Sequence, residues 1–316
     1  MTRTIAVTGG TGLVGKLLVE RLLARGDGVR ALTRRPAGGR DERPGLRWVE
    51  GRLDQREALA ELVQGADAII HAAYEDPGAA PPTERTASEH WLETNLMSSL
   101  RLLELTSATS MRQLVYVSSL AVYGHDFDAD PLAGRAPRDE DYPLWPPEIY
   151  GALRAATEKF VITAARQHGL LTSAFRLGHV VGLRAPHTSS ALYATVEEAV
   201  RTRRIESVAG SYVIAAGDVA DALVGAIGDA STKGRVYNTF DRWFDHADVA
   251  PWIAARLGAD VAVERPAAQG PTHPIIGERI RERMSSTTDA ALRALTDALV
   301  DRCSEGEARA DDDRDS

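Results

Sequence analysis

The sequence predicts an α/β protein, a doubly wound parallel sheet with helices on both faces and a smaller C-terminal lobe. Three observations predict it. Short apolar runs rich in β-branched residues alternate with amphipathic stretches over residues 1–177, the pattern of βαβ units. A glycine-rich turn, TGGTGLVG at 8–15, falls between the first run and the first helical stripe. Beyond about residue 178 the alternation weakens while helical patterns persist.

TIAV (4–7) reads as a buried strand, and Leu13, Val14, Leu17, Leu18, Leu22 and Leu23 form the helical stripe that follows it. VRALT (29–33) and LRWVE (46–50) are the next strands, 55–64 a helix, ADAIIHAA (66–73) the fourth strand and 88–109 a long helix. QLVYVSS (113–119) is a strand, 150–168 a helix and LTSAFRL (171–177) a strand. Between Gly124 and Glu148 five prolines (Pro131, Pro137, Pro143, Pro146 and Pro147) sit among charges, and a loop of that length inside a domain is functional or mobile. Helices are expected at 189–203, 217–228 and 246–257, and strands at 211–215 and 235–240. RIRERMSSTTDAALRALTDALVDR, which starts at Arg279, has the pattern of a terminal amphipathic helix. The expected organisation is 1–177 as a nucleotide-binding domain and 178–303 as a smaller substrate lobe completing a cleft, with the chain able to re-enter the first part.

Of the 316 residues 44% are hydrophobic, an ordinary globular share. The net charge is -8, and the stretch from Glu305 to the end carries -4 of it through Glu305, Glu307, Asp311, Asp312, Asp313 and Asp315 against Arg309 and Arg314. Residues 304–316 are therefore expected to be a disordered acidic tail. The remaining body is mildly acidic, which argues against nucleic acid as a partner. One cysteine, Cys303, excludes an internal disulfide and fits a reducing compartment. There is no signal-peptide pattern and no 18-residue apolar span, so the expectation is a soluble cytoplasmic protein with no membrane role. The eight histidines show no metal-ligand spacing.

Glycines 9, 12 and 15 follow a strand and open a helix. Glycine lets the backbone turn tightly and approach a pyrophosphate, which the helix N-terminus then meets with free amides. Gly9, Gly12, Leu13, Val14 and Gly15 thus read as the first turn of a Rossmann-type dinucleotide site, against the plainer reading of a tight structural turn. At the end of the second strand an acid would bind the adenosine ribose hydroxyls, but the residues there are Thr33, Arg34 and Arg35. A guanidinium can hold a 2′-phosphate, so NADP(H) is favoured and NAD(H) remains possible. The plainer reading of the two arginines is solvated loop charge.

Taken together, TGxxGxxG at 8–15, VSSLAVYG at 117–124 and YGALRAATEK at 150–159 resemble the extended short-chain dehydrogenase/reductases, the epimerase/dehydratase group. His71, Ala72 and Ala73, Asn95, the run Gly217-Asp218-Val219-Ala220, and Val236-Tyr237-Asn238 also match it. The resemblance covers roughly residues 4–260. It implies that Ser119, with Ser118 beside it, hydrogen-bonds a substrate oxygen, and that Tyr150 exchanges the proton. It implies that the residue four after Tyr150 holds the nicotinamide ribose and lowers the phenol's pKa. Hydride would pass between nicotinamide C4 and a carbonyl or carbinol carbon. His71, Ala72 and Ala73 would run beside the cofactor, Asn95 would organise a proton-relay region, and a homodimer would form through the helices around Asn95 and Tyr150.

Three departures qualify the resemblance. Arg154 stands where the family has lysine. Lys159 cannot substitute, because nine residues turn a helix by about 180°. Arg52 follows Gly51 where the family commonly has an acid near adenine. Ser211, seven residues before Asp218, replaces an arginine that grips a nucleotide diphosphate, and His179 replaces an asparagine facing the sugar nucleotide. The arginines of VRTRR (200–204) read as a solvated helix end that would otherwise compensate. These changes lean toward a smaller or more apolar carbonyl substrate, as in the dihydroflavonol-reductase-like branch. The leading expectation is an NADP(H)-dependent oxidoreductase on a small metabolite. The alternatives are a nucleotide-sugar epimerase or dehydratase, a non-redox enzyme, and a dinucleotide sensor.

Overall fold

The computed structural model describes residues 2–34, 43–75, 89–124, 137–206, 210–264, 274–281 and 286–312. The chain divides into two compact units, the first made of Met1–Leu177, Val219–Thr239 and Ile275–Met284, the second of Gly178–Asp218, Phe240–Pro274 and Ser285–Ser316.

The first unit is built on a seven-stranded sheet of β1 (Thr4–Thr8), β2 (Gly28–Thr33), β3 (Leu46–Glu50), β4 (Ala68–His71), β5 (Gln113–Ser119), β6 (Leu171–Leu177) and β10 (Arg235–Thr239), in the order β10-β6-β5-β4-β1-β2-β3. Every neighbouring pair is parallel. Helices α1 (Leu13–Ala24), α2 (Arg56–Val63), α3 (Ser98–Ala108) and α4 (Ile149–Gln167) connect these strands. Because both faces are covered, the strands read as nearly continuous apolar runs, and Ile5, Ala6, Val7, Ile69 and Ile70 have no exposed surface. The core on one side packs Val49, Leu59, Leu62, Ile69, Leu102, Leu114 and Val161 together.

Strand order reverses between β1 and β4. Connections leave the two strands in opposite directions there, which opens a crevice at their carboxyl ends. The register pairs Thr8 with His71 across that gap. The expected strand at 66–73 is shorter than its apolar run, because Ala72 and Ala73 leave the sheet to pass over Gly9.

The helix before α3 contains a π-helical turn, Leu92–Met97, which includes Asn95. Within the proline-rich interruption, residues 125–136 lie outside the described residues, and from 137 onward buried or half-buried positions alternate with exposed ones. Arg138 and Glu140, which the sequence presents as loop charges, are buried. Arg138 donates to the carbonyl oxygens of Tyr123 and Gly124, both at 3.3 Å.

The second unit has a three-stranded sheet of β7 (His179–Val181), β9 (Gly210–Ala215) and β11 (Arg242–Asp245), with β9 antiparallel to β11 and parallel to β7. A short parallel pair, β8 (Arg204–Ile205) and β12 (Ala262–Val263), lies apart from it. Helices α5 (Tyr193–Thr202), α7 (Ala250–Leu257) and α9 (Thr288–Asp312) enclose a core of Val196, Val200, Phe244, Ile253, Leu292 and Leu299. Helix α6 (Ala216–Ala226) leads the chain back into the first unit, and α8 (Glu278–Arg281) lies there too.

One expectation is corrected. Helix α9 runs to Asp312, so most of the acidic stretch expected to be disordered is helical. Its alanine, glutamate and arginine residues are good helix formers, and a helix already nucleated on the core extends cheaply through them.

Candidate active site

Gly9 has φ +77, a left-handed conformation, and a Cβ there would lie 3.0 Å from the amide nitrogen of Ala73. The turn closes with Gly12 N–H donating to Gly9 O at 2.9 Å. At Gly15 a Cβ would sit 1.9 Å from the Gly9 carbonyl oxygen. The first and third glycines are therefore demanded by backbone passing backbone. Gly12 caps α1 with no side-chain hydrogen bond, and no acid lies in the first helical turn. Uncapped amides without nearby negative charge suit a phosphate group, so the turn, with Leu13 and Val14, fits a dinucleotide pyrophosphate. Thr33 is buried and Arg34 is 65% exposed by side chain, while Arg35 lies outside the described residues.

His71 is 2% exposed and joins three elements. Its Nδ1 lies 2.7 Å from Thr8 Oγ1 and its Nε2 2.8 Å from Ser99 Oγ. Ser99 donates its proton to Asn95 O at 2.5 Å, so Ser99 Oγ accepts from His71 Nε2–H. His71 Nδ1 then accepts from Thr8, whose oxygen accepts from Ala73 N–H at 3.1 Å. Burial, helped by the positive charge of Arg154, lowers the His71 pKa to about 3. The ring is neutral and its tautomer is set by this chain. Asn95 itself grips the backbone of Glu75: Oδ1 accepts from Glu75 N–H at 2.9 Å and Nδ2 donates to Glu75 O at 3.0 Å. The Asn95 side chain thus fixes the loop after β4.

Ser119 ends β5 and caps the 3₁₀ turn Leu120–Tyr123, its Oγ accepting from Ala121 N–H at 3.1 Å. That bond uses a lone pair and leaves the hydroxyl proton to donate elsewhere. Tyr150 lies in the first turn of α4. The next residue, Gly151, presses so close to this 3₁₀ turn that a Cβ would lie 2.4 Å from Ala121 O. Gly151 therefore holds the start of α4 against the segment that carries Ser119.

Arg154 is 6% exposed. Its NH1 donates to Val117 O at 2.8 Å and reaches Tyr116 Oη at 3.4 Å. Its guanidinium carbon lies 4.4 Å from the Tyr74 ring centre, 5.3 Å from that of Tyr150 and 5.9 Å from that of Tyr116. The Tyr74 and Tyr150 rings meet edge to face at 4.9 Å. Burial works against this charge, but the Tyr116 and Tyr150 phenols outweigh it, and the Arg154 pKa lies above the ordinary arginine range. Nε is buried with no partner among the described residues. Arginine can occupy such a box because its flat, weakly hydrated head stacks on rings.

A match to the model of the NAD dependent epimerase/dehydratase family spans residues 5–239. The chain belongs to this family. It is 30% identical over 237 residues to a 4-hydroxy-2-methyl-3-oxo-4-farnesyl-3,4-dihydroquinoline-1-oxide ketoreductase of Stigmatella aurantiaca, covering 73% of this chain and 66% of that protein. It is 28% identical over 181 residues to a UDP-glucose 4-epimerase of Corynebacterium glutamicum, covering 56% of this chain and 51% of the relative. The chain thus spans between half and two thirds of the length of these curated relatives. In fold it resembles a short-chain dehydrogenase/reductase superfamily protein from Agrobacterium tumefaciens with bound NAD, at TM-score 0.75 and 24% identity, over 97% of this chain and 100% of that one.

Within this epimerase/dehydratase fold, several expected residues lie elsewhere than the motif suggested. Ser118 points to the opposite face of β5 from Ser119, as strand alternation requires, and donates to Glu158 Oε2 at 3.1 Å. Its hydroxyl is spent in a buried pair, since Glu158 takes Arg176 through two bonds of 2.9 and 2.6 Å. His179 is exposed on β7, its ring centre 6.4 Å from that of His246, and Ser211 Oγ lies 2.9 Å from His246 Nε2. Burial, with His179 nearby, lowers the His246 pKa below the ordinary value. Arg52 reaches Glu75 at 3.2 Å and Asp54 at 3.3 Å. Sequence reasoning missed Tyr74, Tyr116, Gly151 and Glu75. Of these only Gly151 carried a signal, a glycine inside the first turn of a helix. Among the described residues no group of histidine, cysteine and acids could hold a metal ion, and no helix is long and apolar enough to cross a membrane.

Proposed function

We propose that this chain is an NADP(H)-preferring oxidoreductase that moves a hydride to or from a carbonyl or carbinol carbon of a small, non-nucleotide metabolite. The observation that carries this reading is the Tyr150–Arg154 pair on α4, held against the turn that presents Ser119. The dinucleotide supplies the hydride when it is bound. Gly9, Gly12 and Gly15 bring backbone to its pyrophosphate, and Thr33 and Arg34 meet the adenosine ribose. Ser119 donates a hydrogen bond to the carbonyl oxygen and orients it, keeping its proton. Tyr150 gives the one proton the reduction needs as general acid and, in the oxidative direction, takes it back. Arg154 stabilises the phenolate this leaves. Its inward bond to Val117 makes this charge effect, more than a ribose contact, its main contribution.

Ser211 and His179 support a substrate without a nucleotide diphosphate, because neither brings a fixed positive charge. Exposed apolar residues on the helices around Asn95 and Tyr150, namely Leu92, Met97 and Phe160, support a homodimer through those helices. The single cysteine supports a cytoplasmic location. The test is turnover of a ketone panel with NADPH and NADH, alongside thermal-shift titration with UDP- and dTDP-sugars. Ketone reduction without sugar-nucleotide binding is expected. Saturable protection by a nucleotide sugar would move the chain to the epimerase or dehydratase reading.

A further inference from the structure

Glu75 is the residue on this face that the proposed chemistry does not use. It leaves the carboxyl end of β4, yet its carboxylate reaches side chains from the ends of β2 and β3. Oε2 lies 3.7 Å from Arg34 NH1, and Oε1 lies 3.2 Å from Arg52 NH2 and 3.6 Å from His90 Nε2. The residue is not a loose loop end. Asn95 bonds both its N–H and its C=O, and Trp91 Nε1 donates to the same carbonyl at 3.0 Å. The Glu75 side chain is only 19% exposed. A built-in acid therefore lies over the two arginines at the strand ends, and in this fold the end of β2 faces the 2′-position of the adenosine ribose.

We propose that Glu75 sets the cofactor choice of this site by competing with the ribose 2′-phosphate for Arg34 and Arg52. A carboxylate and a phosphate dianion are both strong partners for a guanidinium. A 2′-phosphate must take Arg34 from Glu75 and then sit beside a carboxylate of like charge. A 2′-hydroxyl meets neither obstacle and can donate to the same oxygen. Arg34 thus supplies a preference for the phosphorylated cofactor, and Glu75 restrains it. The inference rests on the reading that Arg34 meets the 2′-phosphate, and the test separates the two.

The experiment is calorimetric titration of the full chain and its variants with NADP⁺ and NAD⁺, repeated with adenosine 2′,5′-bisphosphate and adenosine 5′-monophosphate, which lack nicotinamide. Glu75→Gln is expected to tighten the two 2′-phosphorylated ligands about tenfold, one charge-assisted contact freed, while the other two change by less than about threefold. Glu75→Asp, which withdraws the carboxylate by one methylene and keeps the backbone clamp, is expected to fall between, and it carries the test if the glutamine variant does not fold. If Arg34→Ala abolishes discrimination between the two cofactors while neither Glu75 variant moves it, the inference about Glu75 is overturned and the role of Arg34 stands. If Arg34→Ala leaves discrimination unchanged, both are overturned.

Discussion

The Arg154 guanidinium carbon lies 5.3 Å from the centre of the Tyr150 ring, one helical turn away on the same face. The pair gives Tyr150 a permanent positive charge at its side without exposing that charge to water. A lysine in the same box would keep the charge and lose the flat surface that stacks on Tyr74.

Tyr150→Phe removes the proposed proton donor and keeps the ring that packs on Tyr74. General acid catalysis contributes about 10²–10⁴-fold, so ketone turnover should fall by about that factor while cofactor affinity stays within about twofold. Steady-state rates and calorimetry on one preparation check both halves. Undiminished turnover would take the phenol out of the mechanism.

Arg154→Ala should cost about 2–4 kcal/mol in urea unfolding, because it leaves a cavity between rings and a buried Val117 carbonyl without its donor. Arg154→Lys should cost about 1–2 kcal/mol and keep partial activity. A lysine variant as inactive as the alanine variant would show that the shape of the head matters more than its charge.

The two close glycines should behave unlike the middle one. A methyl at residue 15 collides with the Gly9 carbonyl at 1.9 Å, whereas at residue 12 its nearest contact is 3.3 Å. Gly15→Ala should therefore weaken dinucleotide binding more than tenfold (about 1.4 kcal/mol), and Gly12→Ala much less. Equal losses in a calorimetric titration would contradict the close-approach argument.

His71 predicts a pH dependence of stability. Its folded pKa of about 3 lies below the ordinary 6.5, so between those values the unfolded chain binds a proton that the folded chain refuses. The stabilisation is complete above pH 6.5 and is lost as pH falls, by about 1.4 kcal/mol per unit. Urea unfolding between pH 5 and 6.5, mostly above the carboxylate range, should show this slope, and His71→Gln should flatten it. An unchanged slope in the variant would mean that other groups produce it.

The parts of the fold legible in the sequence were those long enough to show a period. β5 and β6 coincide with the apolar runs at 113–119 and 171–177. β7 and β11 have three and four residues, too few to establish alternation, and they were missed. At the site, Gly9, Ser119, Tyr150 and Arg154 could be marked from local motifs. Tyr74, Tyr116 and Glu75 could not, because their positions depend on which strand lies beside which. One error was avoidable. Tyr116 and Ser118 are two apart on β5 and share a face, and they meet Arg154 and Glu158, which are one turn apart on α4. Parity alone separates Ser118 from Ser119.

The buried pair of Glu158 and Arg176 carries a consequence for how this sequence can evolve. Removing one partner strands a charge in the core and costs about 3–5 kcal/mol, whereas replacing both with well-packed apolar residues is close to neutral. Each side chain is 2% exposed or less, so water cannot soften the single loss. A lineage therefore has no easy single-step path away from this pair. Positions 158 and 176 are expected to be inherited together, and where descendants differ at one of them they should differ at the other as well.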